Sequence, residues 1–464
     1  MEIEGIAGEL REITPGQDFI DGTAYVAVPR ITIVGAKPVR TVEIITSRRE
    51  RFPLMDETLL LRGLYTQRNP NPLPRWSWEA IDTFLTGKEN PSHTLKCLFT
   101  LIQEQYRHYI DFLDRRVYSL ISVWVIGTYF HRLFSAYPYI HLNGDPQTGK
   151  TKTLELTAHL AFNGELTFHS TPAYIVRAIS DNHCTCCVDE AERLRPSKDE
   201  DRQLVISMYN SGYKRGAMAG KVESTNRKGK WETRRFEAYS PKLFASIKDL
   251  DPVLNTRCIP IVMVESADTE IKNRNLNSED PIFQTIRDRL YGAMMLHHQT
   301  IKEIYHGLTD RDIQGREWEL WRPLLSIALA IDGEEEEDSD RMLYGELRGF
   351  ALMVGDEKRR QREEETSSPK LLLAFSERLG EKEEGFYSTQ ELAETLSEYD
   401  EEYFGWMTEE NTKVKVGRFL KREVHRLAIG TYKNSRIEGK KIRGYHLRKK
   451  AIEDRLAGIG LTYS

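Results

Sequence analysis

The chain has 464 residues, of which 39% are hydrophobic and 30% charged, and its formal net charge is −5. That length exceeds one ordinary core and predicts two or three domains. The acid excess excludes a uniformly basic nucleic-acid binder, so any such contact has to be local, and five cysteines are too few for a disulfide scaffold.

Met1 to Glu12 carries Glu2, Glu4 and Glu9 and lacks the basic-then-apolar layout of a secretory signal. Residues 1–74 alternate in the strand manner, as in Thr23 to Val28 and Thr41 to Ile45, with Gly and Pro between the runs. They read as a small β-rich N-terminal domain. The proline-dense joint Asn69-Pro70-Asn71-Pro72-Leu73-Pro74 closes it, and Trp76 to about Phe134 reads as helical. The apolar run Val117 to Phe134 is interrupted by Ser, Thr, Gly and His and falls short of a membrane span. These features predict a cytoplasmic protein without membrane partners.

The apolar strand Tyr139 to Leu142 then opens an α/β stretch. Gly144-Asp145-Pro146-Gln147-Thr148-Gly149-Lys150-Thr151 has the full P-loop spacing, after a strand and before the apolar-periodic segment Leu154 to Phe162. Glycines let successive backbone N–H groups face phosphates, and the following helix adds its positive end. Lys150 is expected at the β- and γ-phosphates and Thr151 at Mg²⁺, so ATP and Mg²⁺ are the cofactors implied.

About forty residues on, Cys184-Thr185-Cys186-Cys187-Val188 is an apolar strand ending in Asp189-Glu190. This is a Walker B arrangement, with Asp189 on the Mg²⁺ water shell and Glu190 activating the attacking water. A strand closing in a solvated acidic turn is the alternative. Glu192 and Arg193 are expected on the surface of a following helix. Zinc ligation by His183 and the cysteines is disfavoured, since successive strand residues alternate faces and no second ligand pair sits at metal spacing.

Ala217 to Val222 and Trp231 to Phe236 are strand-like around the turn-like segment Ser224 to Lys230. The resulting hairpin carries Arg227, Lys228 and Lys230 at its tip, suited to phosphate contact or simply to solvation. Pro241 to Ile247 is another buried-strand candidate ending near Ser246, which either places a hydroxyl near the γ-phosphate or is a plain strand-end serine. Arg257 precedes one more apolar strand, Cys258 to Ile261. It is a candidate to stabilise transition-state charge in a neighbouring subunit, against a structural ion pair. Helices are expected to about residue 352, and the charged segment 356–369 reads as a linker.

The last segment, 369–464, is split in charge. Residues 413–450 hold fourteen Lys or Arg against Glu423 and Glu438, giving +12, and residues 377–410 hold twelve acids against Arg378 and Lys382, giving −10. Helices near 369–379, 388–399 and 412–428 with a strand pair around 432–447 make a winged-helix order. The third helix carries Lys413, Lys415, Arg418, Lys421, Arg422 and Arg426, facing either DNA or an acidic protein surface.

From Trp76 onward the chain resembles AAA+ replicative helicases of mobile genetic elements, the MCM-like and superfamily-three-like motors of plasmids, phages and chromosomal cassettes. Four stretches carry the likeness: Trp124 to Tyr129 leading through Tyr137 into the P-loop, Val188 to Glu192, Leu254 to Ile259, and Arg316 to Leu325. The resemblance implies an α/β P-loop AAA+ core over 75–355. It further implies an arginine finger at Arg257 and a γ-phosphate contact from Arg316, with Arg322 in reserve. The 217–236 hairpin would be a pore loop on DNA. Where many such proteins have Asn at the end of the corresponding strand, this chain has Ser246. A homo-hexamer hydrolysing ATP at its subunit boundaries, with a primase or polymerase of the same element as partner, is the implied assembly. An initiator or loader, or an ATP-switched winged-helix regulator, is the alternative.

Overall fold

The computed structural model describes residues 10–54, 56–66, 70, 72–89, 94–167, 170–194, 198–225, 230–334, 342–365, 367–409, 412–437, 440–459 and 461. The chain divides into two compact units, 1–352 and 353–464, with the division inside the helix Met342–Glu365. The segment expected as a linker is therefore largely helical, since Met342–Glu365 and Ser367–Leu379 together cover most of 356–369. Charge without apolar residues points to a lack of order, but a run of Glu, Lys, Arg and Gln also has high helix propensity, and here that propensity wins.

In the first unit, Asp18–Ile20, Thr23–Val34, Lys37–Thr46 and Arg51–Pro53 form a four-stranded antiparallel sheet in chain order. Its first two-residue turn, Asp21-Gly22, has φ of 48° and 71°, the positive values that a type I′ hairpin turn demands. Ile13, Tyr25, Ile44, Phe52 and Leu59 close a small core beneath it. This sheet is tied to the helical layer by the Trp78 Nε1 bond to Pro29 O at 3.1 Å and by Gln299 Nε2 to Gly22 O at 2.7 Å. Residues 1–74 thus share the compact unit that carries the P-loop.

The stretch expected as one helical region comprises three helices, Trp78–Leu85, Leu95–Tyr109 and Arg116–Thr128. Arg116–Thr128 is buried from Val117 onward, as befits a helix apolar on all sides. No helix among the described residues is long and apolar enough to cross a membrane.

Five parallel strands form the central sheet: β1 Tyr139–Asn143, β2 Glu165–Leu166, β3 Cys186–Val188, β4 Lys242–Ser246 and β5 Cys258–Val262. Their order is β5-β1-β4-β3-β2, and every pairing is parallel. The chain leaves β1 toward one side of the sheet and returns through β4 to the other side at β5. The carboxyl end of β1 is therefore a switch point, where open α/β sheets bind ligands. The protein is a mixed α/β chain with a parallel sheet and many helices.

Met218–Thr225 and Lys230–Glu237 form a separate antiparallel ribbon with Met218 opposite Glu237 and Thr225 opposite Lys230. Helices Pro281–Gly307 and Gly315–Asp332 follow.

The second unit packs helices Ser367–Leu379, Thr389–Tyr399, Lys413–Leu427 and Lys449–Gly458 with a three-stranded antiparallel sheet. In that sheet Lys440–Arg448 lies between Glu384–Ser388 and Gly430–Ile437. Leu371, Phe375, Leu392, Leu420 and Leu447 are in its core. Sequence patterning does not anticipate the short strand Glu384–Ser388, which ends in a capping box from Ser388 to Glu391.

Candidate nucleotide site and basic surfaces

The loop 144–149 leaves β1 and turns directly into the helix Lys150–Leu160, with Gly149 at the N-cap in a left-handed conformation, φ 87°. Gly144 is needed for a different reason, since a Cβ there would lie 2.2 Å from Met263 O, the backbone beyond β5. The Lys150 Nζ donates to Gly144 O at 2.6 Å and to Asp145 O at 2.7 Å. Burial lowers the Lys150 pKa, while Asp189, Glu192 and Asp145 oppose that shift.

Thr151 Oγ1 donates to Asp189 Oδ2 at 2.9 Å, so the P-loop helix and the end of β3 meet. A hydroxyl beside a carboxylate at a phosphate-binding loop is a hard-oxygen donor set that fits Mg²⁺. Glu190, with φ 51°, follows and pairs with Arg193 at 2.8 Å in an exposed position. Ser246 ends β4 beside β1, with its hydroxyl donating to Lys248 O at 2.6 Å and lying 2.7 Å from His141 Nε2. Burial pushes the His141 pKa down to about 4, so the ring is neutral at physiological pH.

Gln147, Thr148, Gly149, Lys150 and Thr151 line one cavity of about 470 Å³ together with Asp189, Glu190 and Ser246. Asp145 and Pro146 belong to the same loop. Glu192, expected on the surface of a helix, instead sits in the 3₁₀ turn Ala191–Arg193, lines the cavity, and has a buried Oε2 without a hydrogen-bond partner. No sequence signal marks this placement, since the residues after Asp189 and Glu190 suit a helix surface equally well. Asn143, which ends β1 and bonds Asp249 Oδ1 at 3.0 Å, is a further residue at this edge that no sequence motif marks.

Arg257 and Arg316 are not in this cavity. Arg257 O accepts from Tyr139 N at 3.1 Å, at the beginning of β1, whereas the P-loop leaves its end. At about 3.3 Å per residue the two edges are roughly 13 Å apart along the strand. Arg316 joins Arg257 there, with both guanidinium groups over Tyr213, 5.2 Å and 5.4 Å from the ring centre. Arg316 Nη1 also donates to Thr256 Oγ1 at 3.2 Å. Arg322 is elsewhere again, 4.4 Å over Tyr305 and donating to His306 O at 3.0 Å.

At the ribbon, Lys230 opens the second strand, and Arg227 and Lys228 lie outside the described residues. The ribbon's foot is fixed by a buried ion pair, Arg132 Nη1 to Glu237 at 2.7 Å, with Asp18 3.7 Å from the same guanidinium. In the second unit, Arg418, Lys421 and Arg422 line one cavity of about 810 Å³ together with Arg426 and Tyr432. Lys421 lies 5.8 Å over Tyr432, and the buried Glu423 holds both Arg422 and Arg426.

The cysteines Cys184, Cys186 and Cys187 are buried and unbridged. Cys184 and Cys186 share a face with their sulfurs 3.3 Å apart. No group of three or more metal-ligating side chains occurs among the described residues.

No family model and no curated protein matches the chain. Among solved structures it is similar to the apo A form of the NrS-1 C-terminal region, with 12% identity, TM-score 0.33, and coverage of 87% of this chain and 93% of that one. It is also similar to the Aeropyrum pernix ORC1 protein in complex with DNA, with 13% identity, TM-score 0.23, and coverage of 78% and 96%. At these scores neither likeness supports a functional reading.

Proposed function

We propose that this chain is an AAA+ ATPase that works on DNA as a ring, a replicative helicase or translocase of a mobile element in which each nucleotide is held between two subunits. The observation that carries the reading is the separation of Arg257 and Arg316 from the P-loop of their own chain. The phosphate cradle is at one edge of the sheet, and the paired arginines are at the other. A head-to-tail neighbour supplies the missing half, and repetition of that contact closes a ring, six being the number the family resemblance implies.

In this reading the loop 144–149 and Lys150 bind the phosphates, and Thr151 with Asp189 would hold Mg²⁺. The ion supplies charge neutralisation of the phosphates. Glu190 takes the proton of the attacking water once it leaves Arg193, and Ser246 with His141 orients the γ-phosphate side of the pocket. Arg257 and Arg316 of the adjacent copy stabilise the charge that develops on the transferred group. Tyr213 holds the two guanidinium groups as a unit, which supports assigning both to one neighbouring site. Glu192 lines the same pocket and, with Asp189 and Asp145, opposes the lowering of the Lys150 pKa by burial.

The ribbon 218–237, rooted on buried groups, and the basic helix Lys413–Leu427 of a winged-helix domain are the proposed DNA contacts, through Arg227, Lys228 and Lys230 in the first and Arg418, Lys421 and Arg422 in the second. Steady-state ATP hydrolysis with and without single-stranded DNA, beside Glu190→Gln, tests the proposal. Severalfold stimulation that vanishes in the variant supports a DNA-coupled motor. Hydrolysis indifferent to DNA overturns it.

A further inference from the structure

A third cavity, of about 550 Å³, opens beside the start of the ribbon. Its wall includes Lys214, Arg215, Lys302, His306 and Arg322, and Tyr305 and Phe19 give it aromatic faces. Gly216, φ 82°, also lines it and lies two residues before the ribbon's first strand.

The cations are held at the spot by different means. The backbone of Arg215 is fixed by its N–H bond to Ser135 O at 2.9 Å. Arg322 packs 4.4 Å over Tyr305, donates to His306 O, and keeps a buried Nε that no acceptor reaches. Two carboxylates bear on the site. Glu319 is engaged by Lys214 at 2.8 Å, and Asp21, which acts on Lys302, is paired with Arg11. Among the described residues no carboxylate pairs with Arg215, Lys302 or Arg322. A chain of net charge −5 thus gathers Lys214, Arg215, Lys302 and Arg322 in one concave place, and no described carboxylate pairs with the last three.

We infer that this cavity is a phosphate-binding site for a nucleic-acid strand, placed so that a strand touching the ribbon is also gripped at its root. Converging cations beside aromatic faces are the combination that tracks a sugar–phosphate backbone without reading sequence. Because its lining reaches Gly216, two residues before the ribbon's first strand, the cavity suits a strand that also lies along the ribbon better than a free anion. The inference rests on the nucleic-acid reading proposed above and adds to it a site that none of Arg227, Lys228, Lys230 or the basic helix supplies.

The test uses the full chain and a fluorescein-labelled thirty-nucleotide oligothymidylate, with anisotropy titrations over a salt series. The double variant Arg215→Ala/Lys302→Ala removes two exposed cations that take no part in the nucleotide pocket, so its basal ATP hydrolysis stays at the wild-type level. Its dissociation constant rises about tenfold at moderate salt, and the slope of log affinity against log salt falls by about 1.4, at roughly 0.7 per contact on single strands. Arg215→Lys/Lys302→Arg restores both. An unchanged salt slope in the double variant overturns the inference while leaving the wider reading intact. Failure of the wild type itself to bind the oligonucleotide overturns both. A defect toward inorganic tripolyphosphate but not toward the oligonucleotide overturns the strand site in favour of a free polyphosphate site.

Discussion

Thr151 and Asp189, thirty-eight positions apart, are joined by a 2.9 Å hydrogen bond from the threonine hydroxyl to the carboxylate. The bond closes the first turn of the P-loop helix onto the end of β3, and it brings together the two oxygens that a phosphate-bound cation would need. Glu190 is the next residue, and its positive φ directs the chain into the turn that carries Glu192. The two carboxylates should therefore separate experimentally. Asp189→Asn is expected to weaken Mg²⁺-dependent nucleotide binding, whereas Glu190→Gln keeps binding and loses turnover by about 10²- to 10⁴-fold, the usual contribution of a general base. Equilibrium binding of a fluorescent ATP analogue with and without Mg²⁺, beside steady-state hydrolysis, distinguishes them. Equal loss of binding in both variants would contradict the division of labour.

The position of Arg257 makes a sharper prediction. Lys150→Ala destroys a chain's own pocket but leaves its arginines, and Arg257→Ala does the reverse. Each alone should be nearly inactive. In a randomly assorted equal mixture about one boundary in four combines an intact pocket with an intact arginine, so about a quarter of wild-type hydrolysis should return. No recovery on mixing, with both variants shown to assemble, would mean that Arg257 does not act across a boundary.

Local signals in the sequence are enough to locate the P-loop, the strand ending in Asp189 and the ribbon, because each is set by a few neighbouring residues. The glycine turn, the apolar run and the alternation of 217–222 against 231–236 need no distant partner. Arg316 shows where that reasoning stops. Its place beside Arg257 depends on Tyr213, a residue from a third segment, and no spacing rule connects 213, 257 and 316. Glu192 escapes the sequence pattern because the residues after Asp189 and Glu190 suit a helix surface equally well, whereas a single 3₁₀ turn folds this side chain back on the pocket. The segment expected as a linker is helical over most of its length, since a run of Glu, Lys, Arg and Gln has high helix propensity.

Arg132 offers a test of how the ribbon is anchored. It is buried with Glu237, the last residue of the ribbon, and Asp18 from the N-terminal sheet. Arg132→Met removes the guanidinium from beside two buried carboxylates and should destabilise the first unit by about 3–5 kcal/mol, the cost of breaking a buried pair from one side. Replacing all three by apolar residues of similar volume (Arg132→Met, Asp18→Leu, Glu237→Met) should recover most of that loss. Urea unfolding followed by tryptophan fluorescence reads both. A single variant as stable as the wild type would show that the pair does not hold the ribbon.

Lys242 gives the pH prediction. It is fully buried on β4, donates to Ala238 O, Ser240 O and Ser240 Oγ, and sits 4.9 Å over Tyr139. Burial depresses its pKa to about 8, with Cys186 and Cys184 acting the other way. In the unfolded chain a lysine titrates at ~10.4. Between those values the unfolded state holds a proton that the folded state has lost, so stability rises with pH across about 8 to 10.4, by on the order of 3 kcal/mol in total. At pH values well under the folded pKa both states are protonated and the penalty is constant. Lys242→Met removes the titration, so the difference in unfolding free energy between variant and wild type should shift in favour of the wild type as pH goes from about 7.5 to about 10. Titrating groups that do not feel Lys242 contribute equally to both proteins and cancel, and Cys184 and Cys186, which do feel it, are replaced by Ala in both. A difference independent of pH would mean that Lys242 titrates in the folded protein as it does in the unfolded one, and that the three oxygens around it hold its charge as well as water does.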